Sequence, residues 1–288
     1  MASPRNIWAL HAELGEGPVW VDGALWFVDI KLRKVYRLDP ATGERHSWDS
    51  PEQVGFILPT DDGRFIAGLQ SGLHLFEPAR SRFEMLAEIE PGKPNNRLND
   101  GVVDPEGRLW FGTMDDKETS ASGAYYCFEC GTVSPAGLAG ITITNGPAIS
   151  PDGTTLYPVD TLAGTIDACR IGADGALGPS RPFVRIDAKD GHPDGPTIDS
   201  EGCLWIGLYG GWEARRYSPA GALLDQVRFP VANITKIAFG GDDLRTAYAT
   251  TARQMLSPDD IARQPQIGDL FAFEVEVPGL PCPKVRLS

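Results

Sequence analysis

LNDGVVDPEGRLWFGT, residues 98–113, reads as two short apolar runs joined by a Pro-Glu-Gly turn, a β-hairpin with Asn99 and Asp100 at its open end. One copy does not explain those two polar residues, but the hairpin recurs. DGALWFVDI starts at Asp22, DGRFIAGLQ at Asp62, EGRLWFGTM at Glu106, DGTTLYPVD at Asp152, EGCLWIGLY at Glu201, and a looser DDLRTAYAT at Asp242. The turns lie about 40 to 50 residues apart, the length of a four-stranded propeller blade and too long for a hairpin alone. Third strands such as KVYRLDP, GLHLFEP and GAYYCFE follow, and fourth strands such as FEMLAEI and LLDQVRF. The expected fold is all-β, one six-bladed β-propeller with four-stranded blades occupying residues 1–288 as a single domain. After DLFAFEV little chain remains for a last strand, so NIWALHA, residues 6–12, is expected to complete the sixth blade and close the ring.

Stepping back eight residues from the second turn residue of each copy gives Asn99, Asn145, Asp194, Thr235 and Gly55, and stepping back seven from Gly23 gives Glu16. The first strand of a blade lines the central channel, so these positions share one mouth on different blades. LGEGPVW, LNDGVVD, TNGPAIS and PDGPTID each set a polar side chain beside Gly or Pro and then turn apolar. Any one of them reads equally well as a turn residue. Together, Glu16, Asn145 and Asp194 bring two carboxylates and an amide to one axis, and like charges repel unless a cation or proton lies between them. An oxygen-only set suits one hard divalent ion, Ca²⁺, Mn²⁺ or Mg²⁺, while the affinity order of transition metals leaves Zn²⁺ and Fe²⁺ open as native ions. Three protein ligands leave positions free for water and substrate.

Composition narrows the function classes. With 26 Lys and Arg against 39 Asp and Glu the net charge is −13, which repels nucleic acids and anionic membranes. The beginning of the chain lacks a signal-peptide core and no long apolar span occurs, so a cytoplasmic protein is expected, acting as a monomer on a small molecule. Five scattered cysteines do not make a disulfide framework, and Cys127 and Cys130 read as a strand and its turn, since no second pair or histidine completes a zinc site. Serine-hydrolase elbows, H-E-x-x-H helices and phosphate-binding loops are missing.

LGEGPVW, NNRLNDGVVDPEGRLWFGTM, TNGPAISPDGTTLY and DGPTIDSEGCLWIGLYGG together resemble the SMP-30 (regucalcin), gluconolactonase and luciferin-regenerating family across nearly the whole chain. The resemblance implies a six-bladed propeller that binds a divalent metal and hydrolyses sugar lactones. Its metal ligands fall on Glu16, Asn145 and Asp194, and its substrate-contacting Arg and Asn on Arg97 and Asn99. Animal relatives carry an acidic substrate contact three residues beyond G-T-M, where Lys117 stands here, so Asp116 on the loop above the entrance becomes the candidate contact. His192, two residues before Asp194, is a further candidate. NITKIAFGG and TTAR match bacterial members and imply a pentono- or gluconolactone substrate. The expected mechanism is metal-assisted hydrolysis in which Asp194 positions or deprotonates water while Arg97 and Asn99 orient the ring. Three rivals stand beside it. An organophosphate-type phosphotriesterase predicts a less polar pocket, a non-catalytic calcium-binding protein predicts binding without turnover, and an interaction propeller predicts exposed aromatic anchors at the mouth.

Overall fold

The computed structural model describes residues 3–288, and its regular structure is six antiparallel four-stranded sheets with one short helix, Pro258–Arg263. The strands nearest the axis are Gly15–Val21, Val54–Pro59, Asn96–Val103, Thr144–Ile149, His192–Ile198 and Ile234–Gly240. Each touches the next and the sixth touches the first, so the sheets form a closed ring of blades. The first five blades run outward in chain order. The sixth takes its outermost strand from the other end of the chain: Arg5–Trp8 pairs with Leu270–Glu274. The expected closure is present, but its strand stops at Trp8, and His11 is left in the left-handed region.

Burial falls from the axis outward, and the sequence follows it. Inner strands such as Leu204–Tyr209 are covered on both faces and are apolar almost throughout, whereas outer strands such as Arg82–Glu88 are largely exposed. The core lies between blades. Trp26 of the first blade meets Phe65 of the second with ring centroids 4.5 Å apart, and Trp20 stacks on Tyr248 of the sixth at 5.7 Å. Aromatic wedges of this kind make each blade depend on its neighbours.

Two repeats carry an acid that explains their shared spelling. Asp199 lies fully buried; its Oδ1 accepts from Glu201 N and Cys203 N, and its Oδ2 from Trp205 Nε1 at 3.0 Å and Arg216 Nε at 2.7 Å. Asp104 does the same for the turn before Trp110 and pairs with Arg108 at 2.6 Å. Removing such an acid strands a buried guanidinium and an indole N–H together. Asp199→Ala is expected to lower stability by about 3 kcal/mol or more in urea denaturation, and Glu201→Ala, at the exposed end of the same network, by less than about 1 kcal/mol.

The turns of the hairpins mark the far end of the channel. There the C-terminal segment crosses from blade to blade: Gly279 N donates to Leu244 O, Val285 N to Pro59 O and Arg286 N to Gly107 O. Above it the channel holds a cavity of about 790 Å³ lined by Val19, Ile57, Ile149 and Ile198, with Cys282 of the crossing segment facing it. All five cysteines are free thiols, and Cys127 and Cys130 form no bond.

Candidate active site

Every innermost strand loses register with its partner at the aligned polar position: between Glu16 and Val19, Val54 and Phe56, Leu98 and Gly101, Asn145 and Ala148, Asp194 and Thr197, and Ile234 and Lys236. A β-bulge breaks the alternation of faces and lets consecutive residues reach the channel. In three blades the residue after the polar one is a glycine of positive φ, Gly17 at 55°, Gly146 at 70° and Gly195 at 49°. Gly195 also has no room for a side chain, since a Cβ would stand 2.4 Å from Lys236 Cβ. Asn99 and Asp100 stand where they do because the bulge turns both inward.

Six equivalent positions divide their work. Glu16, Asn99, Asn145 and Asp194 bring buried polar groups to one end of the channel. Gly55 brings none: a Cβ there would meet the Asn99 carbonyl at 2.4 Å. Thr235 is spent on the frame, donating to Gly15 O at 2.6 Å.

Asn145 Nδ2 donates to Thr161 Oγ1 at 2.9 Å, which leaves its Oδ1 on the other side, 3.3 Å from Asn99 Nδ2. Thr161 in turn donates to Pro193 O, beside Asp194. Asp194 Oδ1 is buried with no hydrogen-bond partner among the described residues. Burial first, then the charges of Glu16 and Asp100, hold this carboxyl well above the ordinary range. Glu16 Oε2 accepts only from Gly17 N, at 2.7 Å. Burial, then Asp100, pushes Glu16 up to about 8, against the partial relief of Lys236, the Gly17 N–H and Arg97. Among the described residues no group of three or more His, Cys, Asp or Glu gathers as a metal cage, so the oxygen set here is mixed, two carboxylates and an amide. An orphaned carboxylate oxygen, a second carboxylate with a single backbone bond and a pre-turned amide oxygen fit a hard divalent cation.

Arg97 and Asp116 sit at the same mouth. Arg97 Nη1 donates to Asn99 Oδ1 at 2.6 Å and its Nε to Asp116 Oδ1 at 2.7 Å. Asp116 also accepts from Lys31 Nζ at 2.6 Å and Gln53 Nε2 at 3.0 Å. Burial raises its carboxyl, but the bonds from Gln53 and Lys31 and the charge of Arg97 outweigh that and bring it to about 2. Asp115 turns the other way and holds the loop, accepting from the backbone N–H groups of Lys117, Thr119 and Ser120. His192 Nδ1 lies 3.3 Å from Thr161 O, the same threonine that orients Asn145.

Lys236, Lys31 and Gln53 are site residues that the sequence does not single out, and Asp100, which it does place at the open end of the hairpin, gains its role only here. Lys236 Nζ binds both Asp100 oxygens, at 2.5 and 2.6 Å, between the sixth blade and the third. A lysine inside the apolar strand NITKIAFGG is the signal for it, because a charge buried on both faces needs a partner. Lys31 and Gln53 carry no such mark; they share only their place near the mouth.

Residues 14–253 match the family model described as SMP-30/Gluconolactonase/LRE-like region. The chain is 36% identical to the 6-deoxy-6-sulfogluconolactonase of Pseudomonas putida, over 92% of each sequence. It is 33% identical to the L-arabinolactonase of Azospirillum brasilense, over 93% of this chain and 90% of that one. The crystal structure of regucalcin from Agrobacterium tumefaciens, described as a calcium-binding protein, superposes with a TM-score of 0.95 and 31% identity over 99% of this chain and 98% of that one. With the polar mouth and the ring of six blades already in place, these matches make the chain a member of the SMP-30/gluconolactonase/LRE-like family.

Proposed function

We propose that this chain is a divalent-metal-dependent lactonase that opens a pentono- or gluconolactone to the aldonic acid, with Glu16, Asn145 and Asp194 as metal ligands. The observation that carries the reading is Asp194 Oδ1, a buried carboxylate oxygen with no partner, beside Glu16 and with the Asn145 amide already turned by Thr161. The names of two relatives, a sulfogluconolactonase and an arabinolactonase, support sugar lactones as the substrate class. The polar mouth supports a polyol over an apolar organophosphate.

Glu16, Asn145 and Asp194 would hold the divalent ion, which would supply Lewis acidity for opening the lactone ester. Asp194 would accept the proton of the attacking water on a carboxylate oxygen. Arg97 holds the sugar: Nε and Nη1 are occupied by Asp116 and Asn99, which fix the guanidinium plane, and Nη2 has no hydrogen-bond partner among the described residues. Asn99 and Asp116 therefore position Arg97 as well as bordering the substrate.

Acid release from a panel of aldonolactones, corrected for spontaneous hydrolysis, tests the activity. Turnover of pentono- or gluconolactones is expected; faster turnover of an aryl dialkyl phosphate, or ion binding without turnover of any lactone, contradicts it. Arg97→Ala is expected to lower kcat/KM for a hydroxylated lactone by about 1.5 to 3 kcal/mol, the scale of a hydrogen bond to a charged group. An unsubstituted lactone should lose much less, and equal losses would remove Arg97 from sugar recognition.

A further inference from the structure

Asp100 and Lys236 stand on the third and sixth blades, opposite each other in a ring of six, so their ion pair crosses the channel axis. It separates the polar mouth from the apolar cavity below, which both residues also line. The two acids nearest the mouth and this third one differ in how their oxygens are spent. Asp100 Oδ1 accepts from Gly101 N at 2.7 Å and Oδ2 from Gly146 N at 2.9 Å, in addition to the two contacts with Lys236 Nζ. Asp194 Oδ1 accepts nothing. Asp100 is thus fully engaged by the protein, while Glu16 and Asp194 are not. Lys236 is placed by its stem, which lies directly on Gly195, the neighbour of Asp194. The other cations at this mouth, Arg97 and Lys31, are both bonded to Asp116.

We propose that the Lys236–Asp100 pair is a built-in counter-charge: it neutralises one of three buried carboxylates, so that Glu16 and Asp194 are the two acids left without a cationic partner among the described residues, the complement of a single divalent ion. The inference rests on the metal site proposed above and adds residues that do not touch the ion. A brace between opposite blades is the alternative role for the pair, and it makes no statement about charge. A unit charge a few ångström from a divalent ion, at the effective dielectric of a protein site, changes affinity by at least about tenfold.

The test is calorimetric titration of Mn²⁺ into metal-free protein for wild type, Lys236→Met, Asp100→Asn and the double variant, each first shown to melt cooperatively. Lys236→Met, with three buried acids and no counter-charge, is expected to bind at least about tenfold tighter than wild type; Asp100→Asn, with two acids and an uncompensated lysine, at least about tenfold weaker. The double variant restores two charges with neither partner present, and its affinity should return to within about threefold of wild type. If Lys236→Met does not fold, the double variant must still bind at least about tenfold tighter than Asp100→Asn. A double variant as weak as Asp100→Asn, or folded variants that all bind like wild type, overturns the counter-charge and leaves a brace. Wild type that takes up no divalent ion overturns the metal reading itself, which separates the two failures.

Discussion

Asp194→Asn is expected to keep its place in the site and still take up one divalent ion, more weakly, but to hydrolyse lactone about 10²-fold or more slowly at saturating metal. The substitution preserves shape and an oxygen donor. What it removes is the ability to accept a proton. A carboxylate can hold the ion through one oxygen and take a proton on the other, which an amide cannot do. Asn145→Asp is the contrast. It keeps an oxygen toward the ion and adds charge, so binding should hold or tighten while a more neutralised ion becomes a poorer Lewis acid, with a milder loss of rate. Mn²⁺ titrations with initial rates at saturation separate the two roles. If saturation returns Asp194→Asn to near wild-type turnover, Asp194 is a ligand alone and His192 is the next base to replace.

Affinity for the ion is expected to rise about 10²-fold between pH 6 and pH 8 and to level off above that. Glu16 must lose its proton to act as a ligand, and burial with the nearby Asp100 charge holds that proton up to about 8. Below that value each pH unit costs about tenfold in affinity for this one carboxyl. The same proton links pH to stability. The folded-state value of Glu16 lies above its ordinary 4.5, so between 4.5 and 8 the folded chain keeps a proton that the unfolded chain has released. Metal-free protein is therefore most stable at the low end of that window with respect to this group, and the contribution is lost as pH rises through 8. Saturating ion removes the decline. Melting curves at pH 5.5, 7 and 8.5, with and without Mn²⁺, check both, and a metal-free melting temperature that rises steadily across the window contradicts the assignment.

The ring of blades was legible because each blade repeats the same economy of residues. A turn glycine and an apolar second strand recur in five of the six copies about 40 to 50 residues apart, two of them with the buried acid of Asp104 or Asp199, and the length of that interval counts the strands. Glu16, Asn99, Asn145 and Asp194 were legible through the same alignment, since an offset of eight residues from the turn, seven for Glu16, places a residue at one height on each blade. The bulge was not, because residues 98 to 101 spell an ordinary strand entry and register is lost only against a partner strand. Nor was the Asp100–Lys236 pair, whose members lie 136 residues apart and meet only once the third and sixth blades face each other. Lys31 and Gln53 became site residues through Asp116, which gathers them from two other blades. The helix at Pro258–Arg263 is too short to leave a periodic pattern; Ser257 and Asp260 cap it reciprocally.

The central claim is that hydrolysis depends on one divalent ion held by Glu16, Asn145 and Asp194. Chain stripped with chelator and dialysed is assayed for acid release from a pentono- or gluconolactone, then titrated with Mn²⁺ or Ca²⁺ while bound ion is counted per chain. Activity should be absent after stripping and return in proportion to occupancy, complete at one ion per chain, with Glu16→Gln failing to recover at the same concentration. Full turnover in metal-free chain, or recovery that ignores occupancy, would contradict it.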